Sequence, residues 1–230
     1  MNVRCVIVGI DHWVDLTSPF VDSMLRYNPW LDIVLIDNAS VMKYPGSDRY
    51  RTLHTDRIGY GPALNIGAMT GMKNWDWLMC CNNDCLCNGA FTVDQLNPNV
   101  MYGNAWKLPF NDPTSGLPEV VDSAYLLISN KMWGRIGGFD PDFEAAFEEI
   151  DYQVRAVHAG FGVDVAYLPI IHLDRHTRYE TPNYEKRWEN ARKLFLDRYM
   201  RIAPTCPNCH NALTSFVCPS CGHDSSLIHA

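Results

Sequence analysis

Residues 78–87 read LMCCNNDCLC, which puts four cysteines within eight positions around an Asn-Asn-Asp turn. Two physical readings compete. Either Cys80, Cys81, Cys85 and Cys87 converge as thiol ligands, or they are packing residues and Asp84 is the group that matters. The flanking residues bear on the choice. Trp77 to Cys81 form a short, continuous apolar run, as in a strand covered on both faces of a parallel sheet. Successive side chains of a strand point to opposite faces, so Cys80 and Cys81 diverge. Buried free cysteine behaves as a small hydrophobe, and soft thiolates suit a hard cation poorly. The stretch therefore reads as a strand running into an acidic loop.

Working outward, the same pattern recurs. VRCVIVG (3–9) is another buried strand, and LDIVLIDNAS (31–40) a second one ending in Asp37, Asn38 and Ser40. Between them, Ser18-Pro19 opens a helix with Phe20, Val21, Met24 and Leu25 on one face, and Asn28-Pro29 stops it. YRTLHT (50–55) gives a third strand and GPALNIGAMTGM (61–72) a helix. This alternation predicts right-handed crossovers and an α/β sandwich with a mostly parallel central sheet. Ligands in such sheets bind beyond the carboxyl ends of the strands. Asp11-His12, Asp37-Asn38 and Asn82-Asn83-Asp84 all fall there.

Downstream, residues 90–118 are rich in Asn, Pro and Gly and read as loop. VVDSAYLLIS (120–129) reads as one strand, EAAFEEIDYQVRAVHAG (144–160) as one helix, and VDVAYLPIIHL (163–173) as one late strand. The helix stripe is Ala146, Ile150, Val154 and Val157. Thr181-Pro182 opens a last helix with Tyr184, Trp188, Ala191 and Phe195 on its apolar face.

The chain has 230 residues, 47% hydrophobic and 20% charged, with a net charge of −7. That charge argues against broad attraction to nucleic acid or anionic lipid. No apolar run has the length of a membrane span, and the N-terminal stretch turns polar too early for a signal peptide, so a cytoplasmic, reducing location is expected. Four of the nine cysteines form two CxxC pairs in the tail, CPNCHNALTSFVCPSCGH. In a reducing compartment such pairs mark a metal more than disulfides. Cys206, Cys209, Cys218 and Cys221 are expected to hold structural Zn²⁺ in a ribbon, closed to substrate. Two local disulfides or a redox pair are the alternative. The expected domains are 1–203 and 204–230, and the metal would supply the tail's folding energy.

The candidate chemistry lies elsewhere. Glu148, Glu149 and Asp151 cluster in the first turns of the 144–160 helix, where the macrodipole alone favours carboxylates. Asp84 ends a central strand and a late strand delivers His172. A carboxylate and an imidazole at strand ends, completed by water and substrate phosphate, suit Mg²⁺ or Mn²⁺.

These segments, in this order, resemble the family-two nucleotide-sugar glycosyltransferases of the GT-A fold, in their rhamnosyltransferase-like branch. VLIDNAS, IGYGPALNIG, NND at the place of the DxD motif, VVDSAYLLI and GGFDPDFEAAFEEIDYQVR carry the resemblance over residues 3 to about 177. It implies that Asp37 and Asn38 read the nucleoside, with Asn65 supporting the loop nearby. Asn83, Asp84 and Glu148 would complete the nucleotide-sugar site. Asp84 and His172 would hold Mn²⁺ or Mg²⁺ against the donor diphosphate. Glu149 falls on the family's catalytic aspartate, and as general base it would serve an inverting hexosyl or deoxyhexosyl transfer to an acceptor hydroxyl. The sequence departs from the family in its Glu148-Glu149 pair and in keeping only the last acid of the DxD motif.

Trp106 and Trp133 are candidates for stacking on a sugar ring, and Arg175 or Arg178 for phosphate contact; packing and solvated loop are the plainer roles. A sugar-phosphate nucleotidyltransferase would carry a Gly-rich basic loop after the first strand, and VGIDHWVD lacks one. A non-enzymatic alternative is a degenerate GT-A domain acting as a binding module, with the ribbon contacting protein or nucleic acid. The expected partners are a nucleotide-sugar donor and an acceptor whose identity the sequence leaves open.

Overall fold

The computed structural model describes residues 1–71, 74–107, 117–174 and 183–199. Two compact units emerge, Met1–Ala191 and Arg192–Ala230. The four tail cysteines, the expected boundary at residue 204, Arg175, Arg178 and the Thr181-Pro182 cap lie outside the described residues. Of the second unit, residues 192–199 are described, where Phe195 and Tyr199 pack with ring centroids 4.8 Å apart.

The first unit is built on a seven-stranded sheet. Its members are β1 (Val3–Gly9), β2 (Asp32–Asn38), β3 (Arg51–Thr55), β4 (Trp77–Asn82), β6 (Val100–Gly103), β9 (Tyr125–Ser129) and β10 (Gly162–Val165). They lie in the order β10-β6-β9-β4-β1-β2-β3, and only β9 runs antiparallel to its neighbours. Two small ladders complete it. β5 (Cys85–Cys87) pairs with β11 (Ile170–His172), and β7 (Trp106–Lys107) with β8 (Val120–Val121). The helices are α1 (Ser18–Tyr27), α2 (Tyr60–Met69), α3 (Asn130–Ile136), α4 (Glu148–His158) and α5 (Tyr184–Tyr199). A π-helical turn, Trp13–Thr17, leads into α1.

Period-two alternation divides the core. Val3, Cys5 and Ile7 join Phe20 and Met24 of α1 on one face, while Val6 and Val8 join Ala63 and Leu64 of α2 on the other. Helix α2 lies so close that a Cβ on Gly67 would stand 2.4 Å from a Val6 methyl. Arg4 is fully buried within β1, and Asp32 at 2.7 Å and the Ala68 carbonyl at 3.0 Å satisfy it. A charge so placed requires such partners.

Cys81, Cys85 and Cys87 join the first core face and Cys80 the second, all buried. Burial pushes the Cys80 and Cys81 thiols well above their ordinary range. These cysteines are packing residues.

The structure departs from the expected elements where tertiary pairing outweighs local pattern. Strand β6 lies inside the main sheet although its surroundings read as loop, because β9 and β10 supply its hydrogen bonds on both sides. The 120–129 run breaks at Asp122 into β8 and β9, and α3 follows unannounced. The late strand also divides, since β10 joins the main sheet and β11 the small ladder. Helix α4 begins at Glu148, four residues later than expected, because Phe147 is left-handed at φ 69°. Ala146 is therefore no part of its stripe.

Candidate functional site

The strand order reverses about β1, with β2 on one side and β4 on the other. A crevice opens at the carboxyl ends of strands flanking such a switch point. Here it is a cavity of about 770 Å³. Gly9 of β1, Asn38 of β2 and Asn82 of β4 line its floor, and Glu148 and Glu149 of α4 line a wall.

Asp84 and His172 are 88 residues apart in sequence and meet in this cavity. The β5–β11 ladder sets His172 opposite Cys85, so Asp84, one residue earlier, lies beside the imidazole. His172 Nε2 stands 3.1 Å from Asp84 Oδ1. The hydrogen bond to Asp84 raises the His172 pKa, and partial burial opposes the rise. Asp84 is 6% exposed.

Asn83 donates through Nδ2 to Thr17 Oγ1 at 3.0 Å, and Thr17 Oγ1 lies 3.1 Å from the Tyr44 hydroxyl. Tyr44 in turn donates to the Asp11 carbonyl. This network joins the loops after β1, β2 and β4 beneath Gly9. A Cβ there would stand 2.5 Å from the Tyr44 hydroxyl, so only glycine fits. Burial pushes the Tyr44 pKa up to about 12.

The α4 acids owe their place to a local turn. Phe147 adopts the left-handed conformation and redirects the chain, so Glu148 and Glu149 open α4 on the cavity side. Glu148 is 6% exposed. Glu149 Oε2 is buried and has no hydrogen-bond partner among the described residues. A buried, unpaired carboxylate oxygen is costly and calls for an explanation.

Two expected contacts take another form. Asp37 is fully buried and does not line the cavity. Its Oδ1 accepts from the Ser40 amide at 3.0 Å, and its Oδ2 meets the Tyr44 amide at 3.1 Å and His54 Nδ1 at 2.7 Å. Burial works to raise its pKa, but these hydrogen bonds outweigh it and hold the pKa below the ordinary value. Asp37 thus orders the loop, and its neighbour Asn38 faces the cavity. Asn65 is likewise occupied elsewhere. It donates to the Phe139 carbonyl and accepts from the Phe139 amide, both at 2.8 Å, fixing the Gly137–Phe139 turn.

Neither proposed sugar-stacking tryptophan lines the cavity. Trp133 sits among Trp75, Phe139 and Tyr152 in the core. Trp106 is exposed on β7.

Several lining residues carried no expectation of a place in the site. Asp122 stands where the 120–129 strand breaks, held by Asn104 Nδ2 at 3.1 Å. Its signal was a polar Asp-Ser pair inside an apolar run. Tyr60 donates to Asn82 Oδ1 at 2.9 Å, and Arg57 and Trp188 also face the space. Arg187 donates through Nη2 to the Glu144 carbonyl at 2.8 Å. No spacing in the sequence marks these, because they meet only through the fold.

Among the described residues, no three His, Cys, Asp or Glu side chains form a cation cage. Asp84 and His172 supply one oxygen and one nitrogen at adjacent points on the cavity wall. That donor set fits a divalent cation whose shell is completed by substrate phosphate and water.

No protein-family model matches the chain, and no curated protein matches it either. Solved structures do. Mannosyltransferase PcManGT of Pyrobaculum calidifontis, in complex with GDP-Man and Mn²⁺, is 15% identical with a TM-score of 0.60 over 78% of this chain and 59% of its own. GalNAc-T7 with UDP, GalNAc and Mn²⁺ is 14% identical with a TM-score of 0.64 over 87% of this chain and 49% of its own. TarS of S. aureus is 11% identical with a TM-score of 0.51, over 72% and 35%. The chain thus spans between about a third and three-fifths of the length of these structures. At such identities the likeness speaks for architecture, and the architecture is the GT-A type: a mixed α/β fold on a mostly parallel central sheet.

Proposed function

We propose that this protein is a metal-dependent, inverting glycosyltransferase that moves a sugar from a nucleoside-diphosphate sugar to an acceptor hydroxyl. The observation that carries the reading is Glu149, whose buried Oε2 has no partner in a cavity that also holds Asp84 and His172. Glu149 accepts the proton of the acceptor hydroxyl as that oxygen attacks the anomeric carbon and the bond to the diphosphate breaks. One displacement inverts the anomeric centre. Glu148 and Asn83 orient the donor, and Asn38 faces its nucleoside. Asp84 and His172 would hold Mn²⁺ or Mg²⁺, which would supply positive charge against the departing diphosphate.

Support comes from the fold and from its neighbours, of which two were solved with Mn²⁺ and a nucleotide or nucleotide sugar. Incubation with a panel of nucleotide sugars and Mn²⁺ is expected to release nucleoside diphosphate. Glu149→Gln should lower transfer by about two to four orders of magnitude while donor affinity persists. Absence of release with every donor, and of any nucleotide-induced thermal shift, would sink the reading.

For the tail, the CxxC pairs at 206–209 and 218–221 support a structural Zn²⁺ site. Purified protein should carry one equivalent of zinc. Cys206→Ser should lose it and Cys80→Ser should not; the reverse would return the thiol site to the 78–87 stretch.

A further inference from the structure

The proposed chemistry leaves the acceptor unnamed, and the outer wall of the cavity bears on it. Trp188 of α5 lines the cavity and is 38% exposed, whereas Glu148 beside the reaction centre is 6% exposed. The indole rests on Phe147, ring centroids 5.7 Å apart, and Phe147 directly precedes the two α4 acids. A large, half-open aromatic ring is thereby fixed on the lining of the cavity that Glu149 also faces, where an acceptor hydroxyl has to arrive. Ala145 and Ala146 line the same wall, and neither has the bulk to cover the ring.

The charges beside it point the same way. Among the described residues, six carboxylates line the cavity: Asp84, Asp122, Glu144, Glu148, Glu149 and Asp174. Among the described residues the lining cations are Arg57, Arg187 and, when protonated, His172, and Arg187 is already engaged by Glu144, Nε to Oε2 at 3.3 Å. A phosphorylated or otherwise anionic acceptor would meet repulsion at this wall. Carboxylates that accept from hydroxyls, next to an aromatic face that covers C–H surface, instead fit an uncharged sugar ring.

Resting on the glycosyltransferase reading, we propose that the acceptor is a neutral saccharide, stacked on Trp188 with its reactive hydroxyl toward Glu149. The ring against which the sugar packs is thus neither Trp106 nor Trp133.

The test uses the full chain with Mn²⁺ and the donor that releases nucleoside diphosphate. Release is measured alone and with uncharged methyl glycosides and oligosaccharides, with sugar phosphates, and with vesicles of anionic phospholipid. Tryptophan fluorescence is titrated with the same saccharides in the presence of Mn²⁺ and nucleoside diphosphate, so binding is read even if no donor turns over. The expected result is acceleration by an uncharged saccharide that also changes the fluorescence. Trp188→Leu, which keeps apolar cover on Phe147, should raise the saccharide KM or Kd about tenfold, and Trp188→Phe much less. The rise should fall on the saccharide KM rather than the donor KM. Acceleration confined to anionic acceptors, a rise in the donor KM instead, or no response to any neutral saccharide in either readout would overturn the proposal. Absence of donor turnover with saccharide binding intact would count against the transfer reaction and not against this subsite.

Discussion

Asp37 and Asp84 look alike in sequence and do different work in the fold. Each stands at or just beyond the carboxyl end of a parallel strand, each is buried, and each has a histidine at hydrogen-bonding distance. His54 comes from β3, the strand next to β2, so the pair closes within one sheet edge. His172 comes from a separate ladder 88 residues away and meets Asp84 on the cavity wall. The backbone amides of Ser40 and Tyr44 turn the Asp37 carboxylate inward. Asp84 and His172 both open on the cavity. An acid that satisfies its own loop fixes structure, and an acid at the cavity wall stays accessible to a ligand.

The largest expected contrast is functional. Asp84→Asn should weaken Mn²⁺-dependent nucleotide binding at least tenfold to a hundredfold, the scale of losing even an outer partner of a metal site. Asp37→Asn should change that affinity by far less. Calorimetric titration of nucleoside diphosphate with and without Mn²⁺ reads both, and equal losses would erase the distinction between the two acids.

The second contrast is in stability and runs the other way. Asp37→Asn replaces a charged acceptor in a buried network and should cost about 1–3 kcal/mol in urea unfolding. A smaller penalty is expected at Asp84, whose pocket offers an alternative in water.

The smallest effect concerns pH. Asp37 has a folded-state pKa below its ordinary value near 3.8, so the folded state binds fewer protons than the unfolded one in that range. Its contribution is present above that value and fades as the pH falls through the lower, folded-state pKa. Urea unfolding of the wild type should therefore lose stability below about pH 4 more steeply than Asp37→Asn does. Parallel curves would mean that the loop hydrogen bonds do not favour the ionised form.

Much of the architecture was legible because buried parallel strands announce themselves. VRCVIVG, LDIVLIDN and WLMCC are apolar runs bounded by polar ends, and β1, β2 and β4 follow them closely. LMCCNNDCLC is legible for the same reason: alternation sends Cys80 and Cys81 to opposite core faces. Legibility failed where no local pattern exists. Strand β6 is four residues long and is a strand only because β9 and β10 flank it. Helix α4 starts at Glu148 because of one left-handed residue, whereas helical periodicity alone would carry it back to 144.

The candidate site divides along the same line. The residue types were set by the sequence itself: an acid after β4, paired acids at the start of α4 and a histidine on a late strand. Residue spacing is a one-dimensional quantity and suffices for elements stabilised by neighbours along the chain. Which of those groups share a cavity depends on contacts between distant segments, and the fold alone decided it. It brought His172 to Asp84, tied Asp37 and Asn65 into loop hydrogen bonds, kept Trp133 among core aromatics while Trp188 lines the cavity, and left Glu149 with an unpartnered oxygen beside them. Side-chain chemistry is carried by the chain. Convergence of that chemistry is a property of packing.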